Sequence, residues 1–241
     1  MPPGPFRAVC TVPGDKSLSH RALLLAGMAS GVSLIRHLGP GSDVGATRRA
    51  LQGFGVEMHG EEVRSPGVEA WKAPSAPIDA GNSATTLRLL SGALAARPFS
   101  STVVGDASLM RRPMGPLGAA LSALGAHVAL GPGERPPVTV GNSVLRGAEV
   151  RIPEASAQVR SAVALAALQA EGPTMVSSPP GFRDHTERWL EAMGLGRRLA
   201  ESRFVVLPGP VLPGSYDLPG DLSSAAFLLV AAALRPGAQL T

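Results

Sequence analysis

Cysteine is almost absent from this 241-residue sequence, in which Cys10 has no second thiol to pair with. A single cysteine excludes an internal disulfide framework and any metal site that needs several thiolates. The five histidines also lack the spacing of metal ligands, so the sequence predicts no metal site. We expect Cys10 to lie in a strand, buried and chemically inert.

Aromatic residues and long apolar runs are scarce as well. The nine aromatics make up 4% of the chain, and no dense basic run accompanies them, which argues against nucleic-acid binding despite a net charge of +4. No apolar run is long enough to cross a bilayer, and the first ten residues lack the apolar core of a secretion signal. We therefore expect a cytoplasmic protein without membrane contact.

Three similar helix ends recur along the chain at steps of 70 and 69 residues: ALQGFGVEM at 50–58, ALSALGAHV at 120–128 and WLEAMGLGR at 189–197. Each carries a glycine stop, and each is preceded by another predicted helix, at 17–30, 83–97 and 156–171. Short β-rich segments lie between the two helices of each pair. The sequence therefore predicts an α/β fold in which a strand–helix–strand–helix–strand–strand unit occurs three times.

A fourth copy of this unit begins near residue 219. Asp221 opens another apolar helix, Pro236 and Gly237 end it, and the last four residues start a strand. We expect a complete three-unit domain at 14–213, with 1–13 and 214–241 as pieces of a second, incomplete domain. We also expect the chain to be part of a longer protein.

Cationic side chains gather where the predicted first helices begin. Lys16 and Arg21 lie at the first of these openings, and Arg88 and Arg160 lie near the two equivalent ones. Serine, asparagine and aspartate there are explained singly by N-capping. A cation at the positive end of a helix dipole, however, costs roughly 0.3–1 kcal/mol unless an anion compensates. The repeated choice predicts an anion site, although neither a Walker loop nor a G-x-G-x-x-G turn is present.

Six ordered motifs spanning residues 12–235 resemble the 5-enolpyruvylshikimate-3-phosphate synthase family: PGDKSLSHR, GNSATTLRLL, GDASLMRRPM, SAQVRSAVALAAL, RDHTERWLEAMG and PGDLSSAAF. The resemblance implies an inside-out α/β barrel of repeated βαβαββ units, in a protein almost twice as long. It implies transfer of the enolpyruvyl group of phosphoenolpyruvate to the 5-hydroxyl of shikimate 3-phosphate, with release of phosphate. It implies that these two small molecules are the binding partners and that no cofactor is needed. We expect a monomer.

The resemblance also implies roles for single residues, with Lys16 as the proton-handling, catalytic residue. Contacts to shikimate 3-phosphate are implied for Lys16, Ser17, Arg21, Ser156, Ala157, Gln158 and Arg183. Contacts to phosphoenolpyruvate are implied for Lys16, Asn82, Thr85, Arg88, Arg112 and Gln158. His20 and His185 are interpreted as residues that open helices rather than as acid–base groups.

Two departures from the family pattern stand out. Many members have serine where this chain has Ala157, and many have glycine where it has Ala84; together with RDHTE these place the chain nearer the branch associated with glyphosate tolerance. Because part of the implied site lies outside the chain, we expect the chain to be inactive alone.

Two alternatives stay open at this stage. One is the sister UDP-N-acetylglucosamine enolpyruvyl transferase, against which Ser17 and the lack of a loop cysteine argue. The other is a truncated, non-catalytic module that binds phosphorylated metabolites.

Overall fold

The computed structural model describes residues 6–241, so residues 1–5 of the predicted 1–13 piece lie outside the described residues. After β1 (Arg7–Ala8), the first unit contains α1 (Lys16–Met28), β2 (Ser30–Arg36), α2 (Ser42–Gln52), β3 (Glu57–His59) and β4 (Glu62–Pro66). The second contains β5 (Ile78–Asp79), α3 (Ala84–Leu94), β6 (Ser100–Val104), α4 (Gly115–Ser122), β7 (Val128–Gly131) and β8 (Arg135–Gly141). The third contains β9 (Glu149–Arg151), α5 (Ala157–Ala167), β10 (Thr174–Ser177), α6 (His185–Ala192), β11 (Gly196–Ala200) and β12 (Arg203–Val206). Last come β13 (Ser215–Asp217), α7 (Leu222–Ala233) and β14 (Gln239–Leu240).

Each unit forms a four-stranded sheet with the same pairing scheme. The strand orders are β13-β2-β4-β3, β5-β6-β8-β7 and β9-β10-β12-β11. The first pair in each sheet is parallel and the other two pairs are antiparallel. The first unit takes its first strand from residues 215–217, because β1 pairs with β14 instead. The repeated βαβαββ unit is confirmed, and this closure through β13 is a feature that the repeat pattern did not reveal.

The first helix of each unit forms the core of the fold. Helices α1, α3 and α5 are buried along almost their whole length, whereas the second helices are buried on one side. Helices α3 and α5 approach so closely that a Cβ added at Gly92 would lie 2.1 Å from the carbonyl oxygen of Ala162. Glycine is therefore required at this crossing, because only a residue without a side chain lets the two backbones meet.

The N-caps explain where these helices begin. The side chains of Asp15, Ser83, Ser156 and Asp221 each accept a backbone N–H from the first turn of the helix that follows. The four positions are equivalent in the repeat, which confirms that α7 opens a fourth unit. Unlike its three counterparts, α7 has no buried residue, although it is almost entirely apolar.

Cys10 lies near the start of the described residues. Cys10 is exposed and lies just beyond the short strand β1, so its predicted burial is wrong, although its backbone N–H donates to the carbonyl of Thr241 at 2.8 Å. Among residues 6–241, none of the helices is long and apolar enough to span a membrane. In the same range no group of three or more metal-ligating side chains comes together.

Candidate active site

The openings of α1, α3 and α5 are tied together by side-chain hydrogen bonds. Arg21 on α1 donates to Ser161 on α5 at 2.8 Å, and Gln158 on α5 donates to Thr85 on α3 at 2.9 Å. His20 on α1 reaches α3 through Thr47 of α2, with successive distances of 2.7 and 2.8 Å. The predicted candidates from three separate units therefore meet at one end of the helical core.

Lys16 is the first residue of α1 and lies half-exposed at this end. Its Nζ donates to Asp43 Oδ2 at 3.2 Å, with the two side chains 54% and 26% exposed. Asp43 is in the first turn of α2, where a carboxylate is favoured by the helix dipole. The sequence analysis missed Asp43, although its place in the first turn of the second helix was a usable signal.

Asn82 and Arg112 form a second cluster, which lies beside the opening of α3. Arg112 donates to the side-chain oxygen of Asn82 at 3.0 Å, and the amide nitrogen of Asn82 donates to Asp106 at 2.7 Å. The bond from Asn82, followed by the N–H of Leu109, holds the pKa of Asp106 below its usual range. Asp106 is the second carboxylate at this end that the sequence analysis missed. The contacts fix the Asn82 amide between a cation and an anion.

Arg88 connects the second unit to the third. It donates to the side-chain oxygen of Gln158 through one terminal nitrogen and to the carbonyl of Pro113 at 3.1 Å through the other. Burial, and then the neighbouring charge of Arg112, lowers the pKa of Arg88. Two guanidinium groups that repel each other in this way make a site that an anion would stabilise.

Arg21 lies under the surface of the site, 3% exposed. Its guanidinium donates to Thr186, Ser161 and the carbonyl of Ser17 at 2.8 to 2.9 Å, which leaves two of its five N–H donors for another partner. Burial lowers the pKa of Arg21 to about 10, and the charge of Arg183 acts in the same direction. Arg183 itself is exposed, so it lies beside the buried Arg21 on the open side.

Ser156 and Ala157 stand at the opening of α5. The Oγ of Ser156 accepts the N–H of Val159 at 3.3 Å, as an N-cap does. Ala157 is the first helical residue and offers no side-chain donor, so only its backbone could bind a ligand. Gln158 follows it and is the residue of this stretch that reaches α3.

Arg160 does not belong to the anion site, contrary to the expectation that grouped it with Arg21 and Arg88. The three arginines lie six, five and four residues after their N-caps, so they project in different directions. Arg160 is 1% exposed, bonds Glu187 at 2.7 Å and covers the ring of Phe182 at 4.0 Å. It is a structural residue of the third unit.

The helix openings thus combine cations with capped, partly unpaired backbone N–H groups, which suits a ligand with several anionic groups. Comparison with known proteins agrees with this geometry. The family model of EPSP synthase (3-phosphoshikimate 1-carboxyvinyltransferase) matches residues 1–241. The chain belongs to the EPSP synthase family. Its predicted relation to the shikimate-pathway transferases is thereby confirmed.

Relatives and a solved structure show how much of the family's length the chain spans. It is 45% identical to the 3-phosphoshikimate 1-carboxyvinyltransferase of Acidithiobacillus ferrooxidans over 236 residues, 95% of this chain and 54% of that protein. For the enzyme of that name from Limosilactobacillus fermentum, the identity is 48% over 237 residues, 95% of this chain and 55% of that protein. EPSP synthase from Acinetobacter baumannii superimposes with a TM-score of 0.89 at 39% identity, covering 99% of this chain and 56% of that chain. The chain spans about half the length of these relatives.

The solved structure also bears on the predicted fold class. The likeness extends over nearly the whole chain, which confirms the α/β fold of the family, built from repeated βαβαββ units. Within residues 6–241 the three sheets remain separate, and none of them closes into a barrel. The comparisons favour the shikimate enzymes over the UDP-N-acetylglucosamine transferases.

Proposed function

We propose that this chain supplies one side of the active site of an enzyme that transfers the enolpyruvyl group of phosphoenolpyruvate to the 5-hydroxyl of shikimate 3-phosphate. The carrying observation is the connected set of polar residues at the openings of α1, α3 and α5. Gln158 of the third unit bonds to Arg88 and Thr85 of the second. Asn82 and Arg112, which bond to each other, lie on the same side of α3. Membership of the EPSP synthase family supports the choice of reaction.

The proposed ligands carry two phosphates and two carboxylates, and the charges of the site match them. Arg88 and Arg112 repel each other in the free chain, so a phosphate or carboxylate of phosphoenolpyruvate between them would relieve that repulsion. The proposed shikimate 3-phosphate side is lined by Ser17, Arg21, Ser156, Ala157 and Gln158. Arg183 lies at its exposed edge.

Lys16 is the residue proposed to handle a proton during the transfer. In the reaction the 5-hydroxyl loses its proton as its oxygen bonds to C2 of phosphoenolpyruvate, and C3 gains a proton. The C2–O bond to phosphate then breaks while C3 gives up a proton, which restores the C2–C3 double bond. Lys16 carries N–H donors on Nζ and has a carboxylate partner in Asp43 at 3.2 Å. A lysine in this position can donate a proton and stabilise the charge that develops as phosphate leaves.

The remaining proposals concern the context of the reaction. We propose that the expected domain at 14–213 extends to include β13, because this strand completes the first sheet, and that residues 1–13 and the residues from α7 onward belong to a second domain. We also propose that the enzyme works as a cytoplasmic monomer. The exposed apolar surface of α7 supports the second-domain assignment, because a helix of this composition is stable in water only when it is covered.

The experiment that tests the function is titration calorimetry of the purified chain with each ligand. We expect weak binding of shikimate 3-phosphate, weaker binding of phosphoenolpyruvate, and a loss of both with rising salt. Lys16→Met should weaken shikimate 3-phosphate binding, whereas Lys72→Met, which removes the chain's other, exposed lysine, should not. Equal affinity for both ligands, or none for either, would contradict the proposal.

Turnover needs the other half of the family's fold. We expect a fusion of this chain with the unmatched second half of the Acinetobacter baumannii enzyme to release phosphate from phosphoenolpyruvate when shikimate 3-phosphate is present. The Lys16→Met fusion should be inactive and the Lys72→Met fusion active. Activity with UDP-N-acetylglucosamine instead would favour the sister enzyme, and binding without turnover in every fusion would favour a binding module.

A further inference from the structure

A chain of buried polar side chains runs from α1 to the openings of α2 and α3. His20 and Thr47 are fully buried, and His20 Nδ1 lies 2.7 Å from Thr47 Oγ1. Thr47 Oγ1 lies 2.8 Å from Thr86 Oγ1, which is also fully buried. Thr86 Oγ1 in turn lies 3.2 Å from the carbonyl oxygen of Asp43 and 2.8 Å from Ser83 Oγ.

The last acceptor, the carbonyl oxygen of Asp43, determines the direction in which these hydrogen bonds donate. A backbone carbonyl can only accept, so the Thr86 hydroxyl donates to Asp43 and accepts from Thr47. Thr47 must then accept from His20, which places the imidazole proton on Nδ1. The Thr86 hydroxyl also donates to Ser83 Oγ at 2.8 Å, and Ser83 Oγ accepts the Thr86 N–H at 3.1 Å, so both acceptors within reach of the Thr86 proton lie away from Thr47.

The opposite direction is less favourable because of the other imidazole nitrogen. Nε2 of His20 is buried and has no partner among the described residues. If the chain ran toward His20, Nε2 would carry a buried N–H without an acceptor, the kind of orphan donor that folded proteins rarely tolerate. With the proton on Nδ1, Nε2 leaves only a lone pair unused.

This chain of hydrogen bonds adjoins the candidate active site at its Asp43 and Thr86 end. Asp43 holds Lys16 through its carboxylate, and Thr86 follows Ala84 and Thr85 in the first turn of α3. His20 also occupies the same place after the N-cap as Arg88, which donates to Gln158 of α5, and Ser161, which accepts from Arg21 of α1. This place in the repeat is therefore where each first helix is fastened to another helix.

We propose that His20, with its proton on Nδ1, is a positioning residue that heads a one-way hydrogen-bond chain through Thr47 and Thr86 to the carbonyl of Asp43. The chain holds the Asp43–Lys16 pair and the opening of α3 in the arrangement that binds substrate. The link to substrate rests on the proposed function, whereas the proton position and the helix fastening do not.

The electrostatic surroundings of His20 agree with a neutral ring. Burial lowers the pKa of His20 to about 4; Asp43 opposes this change, whereas Arg21 and Lys16 add to it. An imidazolium would carry a second N–H at Nε2, for which none of residues 6–241 offers an acceptor.

The first test is nitrogen NMR of the imidazole rings in the isolated chain, with His20 assigned by its loss in His20→Asn. We expect the Nδ1–H tautomer and no protonation between pH 7 and 5. An Nε2–H tautomer, or titration near pH 6.5, would overturn the proposed direction. This measurement needs no ligand, and His20→Asn serves only to assign the signal.

The second test compares Thr47→Val, which breaks the chain, with Thr47→Ser, which keeps the hydroxyl. Thr102→Val is the matched control, because it removes a similar threonine pair, Thr102–Thr139 at 2.8 Å, from a β-sheet. We expect Thr47→Val to weaken shikimate 3-phosphate binding about five- to tenfold, with binding restored in Thr47→Ser and unaffected in Thr102→Val. Equal binding by Thr47→Val and Thr102→Val would overturn the positioning role.

Amide hydrogen exchange separates this proposal from the proposed function. If the parent chain binds no shikimate 3-phosphate, the function fails, yet Thr47→Val should still speed exchange at the openings of α2 and α3 relative to Thr102→Val. Unchanged exchange there would overturn the fastening role as well. Should Thr47→Val not fold, the tautomer measurement still decides the direction of the hydrogen bonds.

Discussion

Arg88 on α3 donates a hydrogen bond to the side-chain oxygen of Gln158 on α5, and the amide of Gln158 donates to Thr85 at 2.9 Å. One glutamine side chain thus joins the second unit to the third at the opening of the core. The bond also aims the Arg88 guanidinium, whose other terminal nitrogen holds the carbonyl of Pro113 beside Arg112.

Replacing Gln158 should therefore weaken anion binding. Gln158→Leu leaves Arg88 without its charge-assisted partner, so we expect shikimate 3-phosphate affinity to fall about tenfold or more by calorimetry. Gln52→Leu, at the exposed C-terminal end of α2, is the control and should bind normally. Unaltered affinity in Gln158→Leu would show that the bridge does not shape the site.

Ala84 is the first residue of α3 and is 5% exposed, so its methyl group occupies space beside the proposed phosphoenolpyruvate site. In the fusion enzyme, we expect Ala84→Gly to increase inhibition by glyphosate by about one to two decades, because an extra methyl in a tight site costs roughly 1–3 kcal/mol. Phosphoenolpyruvate affinity should change less. Equal inhibition with only a lower melting temperature would mean that the methyl acts on helix stability alone.

The Arg160–Glu187 pair should be a large stabilising contact when only one partner is removed. Both side chains are at most 3% exposed, so Arg160→Met leaves a buried, unpaired carboxylate and should cost about 3–5 kcal/mol in denaturant unfolding. Arg188→Met removes an exposed partner of Asp184 and should cost less than about 1 kcal/mol. The double variant Arg160→Met/Glu187→Leu should lose less than Arg160→Met, and a larger loss would contradict this account.

Acid should destabilise the chain through His20. Burial lowers the pKa of His20 from 6.5 to about 4, so the unfolded state binds more protons between these values. The free energy of unfolding should therefore fall as pH drops through this window, by up to about 3 kcal/mol from this group. His185, whose pKa is also lowered by burial, adds in the same direction.

The variant that isolates the His20 contribution is His20→Asn, which should flatten the pH dependence of the unfolding free energy between pH 6.5 and 4. His59→Asn replaces an exposed histidine of β3 and should leave the slope unchanged. A slope in His20→Asn equal to that of the parent would assign the acid sensitivity to other groups.

The crossing of α3 and α5 should not tolerate a side chain at Gly92. Gly92→Ala would press a methyl group against the Ala162 carbonyl, and we expect a loss of about 1–3 kcal/mol or more in thermal or denaturant unfolding. Gly45→Ala, in the half-buried part of α2, meets only the end of Arg49 at 3.4 Å and should be neutral or stabilising. Similar stability of the two variants would contradict the close approach.

Local pattern was enough to predict the repeated unit and the helix openings. Apolar spacing, N-caps and glycine stops act within a few residues, so the predicted helices at 17–30, 83–97 and 156–171 correspond to α1, α3 and α5. Each start agrees within one residue, and each helix ends two to four residues before its predicted end. The cationic openings likewise indicated an anion site, and Arg88 and Arg112 lie close enough there to repel each other.

The tertiary structure decided what each polar residue faces. Arg21, Arg88 and Arg160 look alike in sequence, but a step of one residue turns a helical side chain by about 100°. Arg160 is therefore buried against Glu187, whereas Arg88 faces the site. Three pairings join partners that are distant in sequence: Asp43 with Lys16, Thr86 with Thr47 and β13 with β2. Only the packing of helices and strands in the folded chain brings these partners together. The repeated units and their capped helix openings could be predicted because they depend on residues that are near neighbours in the sequence. The site could not, because its contacts exist only once the three units share a core.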